Sequence, residues 1–161
     1  MTAAAPSADI RIWLALDHHQ AFQVGGWAFV RRQGGEFTGV AGGARRTGAG
    51  RNAVAGLAAA LADLPPGASV TVAAADPGLV ALWAAATGQG GDPPAEDLDL
   101  WAQVLAAARG RTVRLVRTAA APATPLAFAA AWAELARDKA KMKGDFASAI
   151  PKPNLSKVQG L

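Results

Sequence analysis

The side chains able to do chemistry in this 161-residue chain are few and scattered along it. Asp17-His18-His19 is the densest group of metal-type ligands. Adjacent residues in an extended chain point apart and no second ligand group is evident, so the triplet reads as loop rather than as a metal centre. Asp76 and Glu134 are isolated acids, and Asp92, Glu96, Asp97 and Asp99 form an acidic run that reads as a solvated loop and helix start. The cations suggest different chemistry. Arg45, Arg46 and Arg51 flank Gly48-Ala49-Gly50 at the start of a helical pattern, where free N–H groups attract anions and arginine adds charge. A solvated loop is the first reading of that group and a phosphate-contacting site the second. The glycines lack the spacing and the parallel βαβ context of a dinucleotide loop. Trp27 and Trp83 could stack on bases, but both sit at expected core positions.

The elements that must hold these residues follow from periodicity and punctuation. Ile10–Leu16 is a β-type apolar run, and Val24–Arg32 returns through the Gly34-Gly35 turn into Glu36–Val40 as a hairpin. Gly42, Gly43, Gly48 and Gly50 read as a loose connection. Asn52–Leu64 carries Val54, Leu57, Leu61 and Leu64 at helical spacing until Pro65-Pro66 stops it. Val70–Ala75 is a short strand, and Asp76-Pro77 opens the next helix with an N-cap and a proline at the first helical position. Asp97 or Asp99 can cap a helix through Ala108, and Arg111–Val116 alternates as a strand. Leu126–Lys141 reads as a helix with Phe128, Trp132 and Leu135 on one face. Strands are expected near 10–17, 24–32, 36–43, 69–75 and 111–117, and helices near 50–64, 77–86, 97–109 and 126–141. This order implies an α/β fold with a mixed sheet and helices on its faces.

Composition narrows the class. Apolar residues make up 52% of the chain, much of it alanine, so the core must lean on Trp13, Trp27, Trp83, Trp101, Trp132, the phenylalanines and the aliphatic set. No apolar run approaches the roughly 18 residues of a membrane span, and the first residues lack the pattern of a signal peptide. The absence of cysteine excludes disulfides and thiolate metal sites and fits a cytoplasmic location. All five lysines (Lys139, Lys141, Lys143, Lys152 and Lys157) lie in the last 23 residues. The segment from Arg137 onward carries a net +4, equal to the charge of the whole chain, so the body is close to neutral. A basic balance points to nucleic acid or another anionic surface.

The run GGWAFV, GGARRTGAGRN, VAGLAAALADL, VTVAAADPGLV, followed by DLDLWAQVLAAARG, RTVRLVRT and AWAELARDKA, resembles ribonuclease H of type 1 over residues 9–141. The resemblance implies a ribonuclease H-like five-stranded mixed sheet flanked by helices. It divides the chain into a flexible N-terminus at 1–8, the domain at 9–141 and a basic, proline-containing tail at 142–161. It also implies cleavage of RNA by metal ions held on four carboxylates. The matching positions here are Ala15, Ala53, Ala75 and Ala133. Residual acids lie close by: Asp17, two residues on and on the same strand face, then Asp76 and Glu134. Two-metal hydrolysis needs carboxylates converging on ions about 3.5–4 Å apart, and Mg²⁺ tolerates little displacement of its oxygen ligands. A neighbouring helical residue points about 100° away. The loop that in the family carries a histidine assisting product release reads AAAPATP here.

The expectation is therefore a catalytically inactive ribonuclease H-like protein that binds nucleic acid or a nucleoprotein complex, with no catalytic residue and no resident metal. The implied partners are an RNA–DNA hybrid or duplex nucleic acid, contacted through Arg45, Arg46, Arg51, Lys139, Lys141 and Lys143, and a protein docking on the tail. No membrane partner is expected. Two alternatives stay open. One is a protein–protein interaction module without a nucleic-acid role. The other is an active hybrid hydrolase using Mg²⁺ or Mn²⁺ in a site rearranged around Asp17, Asp76 and Glu134. The tail reads either as a disordered terminus or as a strap using Phe146, Ile150, Leu155, Val158 and Leu161, and its two prolines favour an extended chain over helix.

Overall fold

The computed structural model describes residues 8–158; residues 1–7 of the expected flexible N-terminus, and Leu161, lie outside that range. β1 (Asp9–His19), β2 (Val24–Gln33) and β3 (Glu36–Arg45) form an antiparallel meander, with a 3-10 turn at Gln20–Phe22 between the first two. α1 (Ala49–Ala60) crosses to β4 (Ser69–Ala74), which runs parallel to β1. α2 (Pro77–Ala86) and α3 (Leu98–Ala108) lead to β5 (Thr112–Arg117), parallel to β4. α4 (Pro125–Lys143), β6 (Phe146–Ala149) and a one-turn α5 (Lys152–Leu155) complete the order. The strands lie side by side as β5-β4-β1-β2-β3-β6, so the expected five-stranded sheet has gained a sixth strand on its β3 edge.

Two apolar layers hold the sheet. On one face Ile10, Ile12, Leu14, Trp27, Phe29, Val70 and Val72 pack under α1, α2 and α3, with Leu57, Leu79, Trp83, Trp101 and Val104 descending from the helices. On the other, Trp13, Ala15, Ala28, Val30, Ala41 and Ala73 pack under α4 and the tail. Four of the five tryptophans are buried as composition required, and Trp132 is half-buried.

Three local readings change in the folded chain. α1 stops at Ala60, four residues before Leu64. The prolines at 65 and 66 exclude helical backbone just before them, and the chain leaves through Asp63 at φ +57 while Leu61 and Leu64 stay buried. α3 begins after Asp97, which sits at φ +56 and makes no side-chain cap. The third change concerns α4. Its buried positions are Leu126, Ala129, Ala133, Ala136 and Ala140, whereas Leu135 is 59% exposed. Small residues face the sheet because the helix backbone lies almost on it. A Cβ placed on Gly26 would stand 2.9 Å from Arg137 Cα and nearer still to the Ala133 carbonyl and the Arg137 amide. One on Gly43 would stand 2.9 Å from Ala140 Cβ and 3.0 Å from the Ala136 carbonyl. Gly26 and Gly43 are register partners, so they form one lane across β2 and β3. Gly42, read as part of a loose connection, instead leaves room for the Trp27 ring on the opposite face. Thr124 caps α4 by accepting from the Ala127 amide at 3.2 Å, with Pro125 following it.

The tail packs against the body. β6 pairs antiparallel with β3 from Val40 to Gly43, and the Ile150 amide donates to the Gly39 carbonyl at 2.8 Å. Ile150 and Leu155 are buried, 3% and 4% exposed, over Gly39. Lys152–Leu155 is helical despite Pro153, because a first-turn proline gives up an N–H that had no helical partner. The tail strand also covers backbone groups of the β3 edge that would otherwise invite pairing with another chain.

Gly26→Ala should destabilise the fold by about 3 kcal/mol, because the new methyl meets helix backbone rather than a side chain that can turn away; urea unfolding measures it, and a loss under about 1 kcal/mol would refute the close approach. Truncation after Lys143 removes two buried aliphatic side chains worth about 1.5–3 kcal/mol each, so the melting temperature should fall. An unchanged melting temperature would mean that the tail adds nothing to the body.

Candidate functional site

Asp17 lies near the end of β1, on the face that carries α4. Its register partner is Gly26, the residue over which α4 passes. That crossing places Arg137 above the carboxylate, and the guanidinium donates to Asp17 Oδ1 at 2.9 Å and to Asp138 Oδ1 at 3.1 Å. Both members of the Asp17 pair are about three-quarters covered, with side-chain exposures of 27% and 23%. The Arg137 guanidinium is held above its ordinary pKa, first by the Asp138 hydrogen bond and then by the charge of Asp17. The acid best placed to survive as a metal ligand is thus engaged by an arginine that spacing along the chain gave no reason to connect with it.

Beneath this pair, Asn52 of α1 fills the space that Gly25 leaves and donates to the Gly26 carbonyl at 3.0 Å and the Asp17 carbonyl at 3.3 Å. It is a buried polar side chain that sequence reading missed. Its only sequence signal is an asparagine at the start of an apolar helical run. His18 donates through Nε2 to the Thr47 carbonyl at 2.7 Å, while His19 stacks on Phe22 with ring centroids 4.9 Å apart. Both lie within β1 rather than in a loop, and the strand alternation turns them to opposite faces.

The four alanines that the resemblance matched to carboxylate positions are not gathered at one point. Ala15 and Ala75 line a cleft of about 80 Å³ together with Asp76, Ala120, Leu126 and Ala130. Ala53 is buried in the α1 layer, and Ala133 is buried where α4 crosses Gly26. The α4 residue on the cleft is Ala130, one turn before Ala133. Asp76 accepts from the Gly78 amide at 2.8 Å and so caps α2. Glu134 is on the exposed side of α4. Among the described residues no three His, Asp or Glu side chains come together in a metal-holding group. Methyl groups supply no oxygen to a divalent ion, so the residues present do not fit the metal pair that the family resemblance implies.

The cations sort into engaged and unengaged. Arg45 Nε donates to the Ala140 and Lys141 carbonyls at 3.0 Å each, closing the C-terminus of α4, and its own amide donates to Asp145 Oδ1 at 2.9 Å. Arg51 donates to Asp97 at 3.2 Å and to Asp99 at 2.9 Å, tying α1 to α3. Arg46 is exposed, at φ +54. Lys139 Nζ lies 4.6 Å from the Phe146 ring centroid and Lys141 Nζ 3.8 Å from that of Phe22, while Lys143 is exposed at the helix end. Arg46, Lys139, Lys141 and Lys143 therefore gather at the corner where β3 meets the end of α4. His19, Phe22, Arg137 and Lys141 line a groove of about 170 Å³ beside it.

No family model matches the sequence, and no curated protein matches it. Solved structures do match the fold. The N-terminal RNase H domain of rv2228c from Mycobacterium tuberculosis is 18% identical, with a TM-score of 0.65, over 83% of this chain and 96% of that one. LC11-RNase H1, solved in complex with an RNA/DNA hybrid, is 15% identical at a TM-score of 0.63, over 81% and 98%. LC9-RNase H1, a type 1 RNase H with the type 2 active-site motif, is 14% identical at 0.61, over 98% and 88%. The chain has the ribonuclease H-like α/β fold, a five-stranded core with one added strand.

The Arg51 pair makes a pH prediction. The Arg51 hydrogen bond, first among its causes, lowers the Asp99 pKa to about 2. A carboxylate depressed in the folded state contributes its stabilisation above the ordinary value of 3.8 and loses it as pH falls through about 2. NMR titration should find the Asp99 carboxyl titrating near 2, and Arg51→Gln should return it toward 3.8. A titration unmoved by that substitution would exclude the pair in solution.

Proposed function

We propose that this chain is a ribonuclease H-fold module that binds nucleic acid without hydrolysing it. The observation that carries the non-hydrolytic half is the replacement of an acidic centre by an alanine-lined cleft, with Asp17 neutralised by Arg137 and Asp76 committed to capping α2. The alternative of a rearranged hydrolase needs Asp17, Asp76 and Glu134 to converge. The first two are engaged elsewhere and the third faces outward.

The binding half is supported by charge. At the end of α4 the four cations Arg46, Lys139, Lys141 and Lys143 outnumber the two acids Asp138 and Asp145, and Asp138 is paired with Arg137. Cations gathered in this way contact phosphate rather than bases, giving affinity that falls steeply with salt and little sequence preference. An RNA–DNA hybrid is the first ligand to test, because a protein of like fold has been solved with one. Arg45 and Arg51 take structural roles in this reading, so their loss would act on stability before affinity.

In a binding and cleavage assay with a labelled hybrid, the strand should stay intact in Mg²⁺ and in Mn²⁺. Replacing Arg46, Lys139, Lys141 and Lys143 by Gln should weaken binding and reduce the salt slope by about 3–4, since each phosphate neutralised by a cation adds about 0.9 to that slope. Cleavage that vanishes in Asp17→Asn would overturn the non-hydrolytic reading. Wild-type affinity and slope in the fourfold variant would overturn the binding surface.

A further inference from the structure

A second basic surface lies at the other end of the sheet, and hybrid binding at the end of α4 makes no use of it. On the face that carries α4, strand register sets Phe37 of β3 beside Arg32 of β2, Arg32 opposite Arg11 of β1, Arg11 beside Thr71 of β4, and Thr71 beside Arg114 of β5. These five positions form one straight row across five strands, about 19 Å from end to end at the usual strand spacing. α4 lies nearer the other end of the face, over Gly26 and Gly43, and leaves this row uncovered: Arg11 and Arg114 are exposed, and Arg32, Thr71 and Phe37 half-exposed.

Like charges set directly opposite on neighbouring strands are destabilising. Arg11 and Arg32 are such a pair. Among the described residues neither they nor Arg114 form an ion pair, although Asp9 lies two positions from Arg11 on the same strand face. The other well-placed arginines of the body, Arg31, Arg45, Arg51, Arg111 and Arg137, all hold backbone carbonyls or carboxylates. The Arg11 guanidinium is backed by the Trp13 ring at 5.4 Å, which steadies it without neutralising it. The row ends at Phe37, in the wall of a cleft of about 260 Å³ that also takes in Glu36, Thr38, Lys152 and Leu155.

We propose that this row is a track for single-stranded nucleic acid, with phosphates on Arg114, Arg11 and Arg32 and a base stacked at Phe37. A row this long exceeds a single oxyanion and fits a chain of them. Arginine forks suit phosphate, and an aromatic ring at the end of a cationic track suits an unpaired base. A duplex keeps its bases inside and would leave Phe37 idle. This surface is separate from the corner at the end of α4, so the two readings can fail independently.

The test uses the full chain, a labelled single-stranded oligonucleotide of mixed sequence, and anisotropy at several salt concentrations. Arg11→Gln with Arg32→Gln and Arg114→Gln should weaken binding about tenfold or more and lower the salt slope by about 2, near 0.7 for each phosphate contact. Its melting temperature should be unchanged or raised, since repulsion is removed, and its hybrid affinity should be kept. Phe37→Ala should weaken binding about tenfold with the slope intact. Arg114→Glu alone, on the sheet edge, should weaken binding if the triple variant is unstable. Wild-type affinity and slope in the triple variant would overturn the proposal, as would failure of the wild-type chain to bind the single strand. Binding of poly-glutamate in place of the oligonucleotide, abolished in the triple variant, would overturn it too and assign the row to an acidic protein segment. Absence of hybrid binding with the row-dependent single-strand binding intact would sink the hybrid-binding reading and leave this one standing.

Discussion

The structure depends on how closely one helix can lie on the sheet. α4 passes over Gly26 and Gly43 with its backbone near the positions where their side chains would begin. Only glycine on the sheet and alanine on the helix allow that approach, and packing at this density leaves no slack for a larger residue. An alanine-rich chain thereby makes a firm interface from shape rather than from large apolar side chains. The register pair Gly26–Gly43 fixes where along the helix the contact falls, and with it the height at which every later residue of α4 stands over the strands.

Several features follow from that height. Arg137 is set above Asp17, so the carboxylate near the end of β1 becomes an ion-pair partner. Ala133 is taken up by the crossing, and Ala130 faces the cleft with Ala15 and Ala75. The end of α4 arrives beside β3, where Arg45 closes its last carbonyls and Asp145 holds the Arg45 amide. The chain then turns at Gly144 into β6 along the β3 edge. The cleft at the ends of β1 and β4 is lined by methyl groups, and the Asp17 carboxylate beside the helix crossing is held in a salt bridge.

Charge is partitioned by the same architecture. Arg31, Arg45, Arg51, Arg111 and Arg137 hold carbonyls or carboxylates, while among the described residues those in the open row across β2, β1 and β5 form no ion pair. A net charge alone would have located the basic character in the tail. The folded chain distributes it over two surfaces, one at the end of α4 and one across the exposed end of the sheet, and the tail itself becomes a structural strap through Ile150 and Leu155.

Much of the fold was legible in the sequence because it rests on local rules. Period-two alternation marked the strands, the 3.6-residue period and Asp76-Pro77 marked helices, and the Gly34-Gly35 turn marked the hairpin. Ala15, Ala53, Ala75 and Ala133 drew attention only through a family resemblance, since nothing in their own spacing marks them. What only the tertiary structure decided are relations between residues far apart in the chain: Arg137 with Asp17, Arg51 with Asp99, Arg45 with the end of α4, and Arg32, Arg11 and Arg114 in one row. Of Phe128, Trp132 and Leu135, read on one face of α4, the first two pack partly against the second apolar layer and Leu135 is exposed, since hydrophobicity reports what a side chain prefers and not how close two backbones can come. The tail was ambiguous for the same reason. Its apolar residues have no partner until β3 exposes Gly39 and an open edge, and that edge exists only once the sheet has formed.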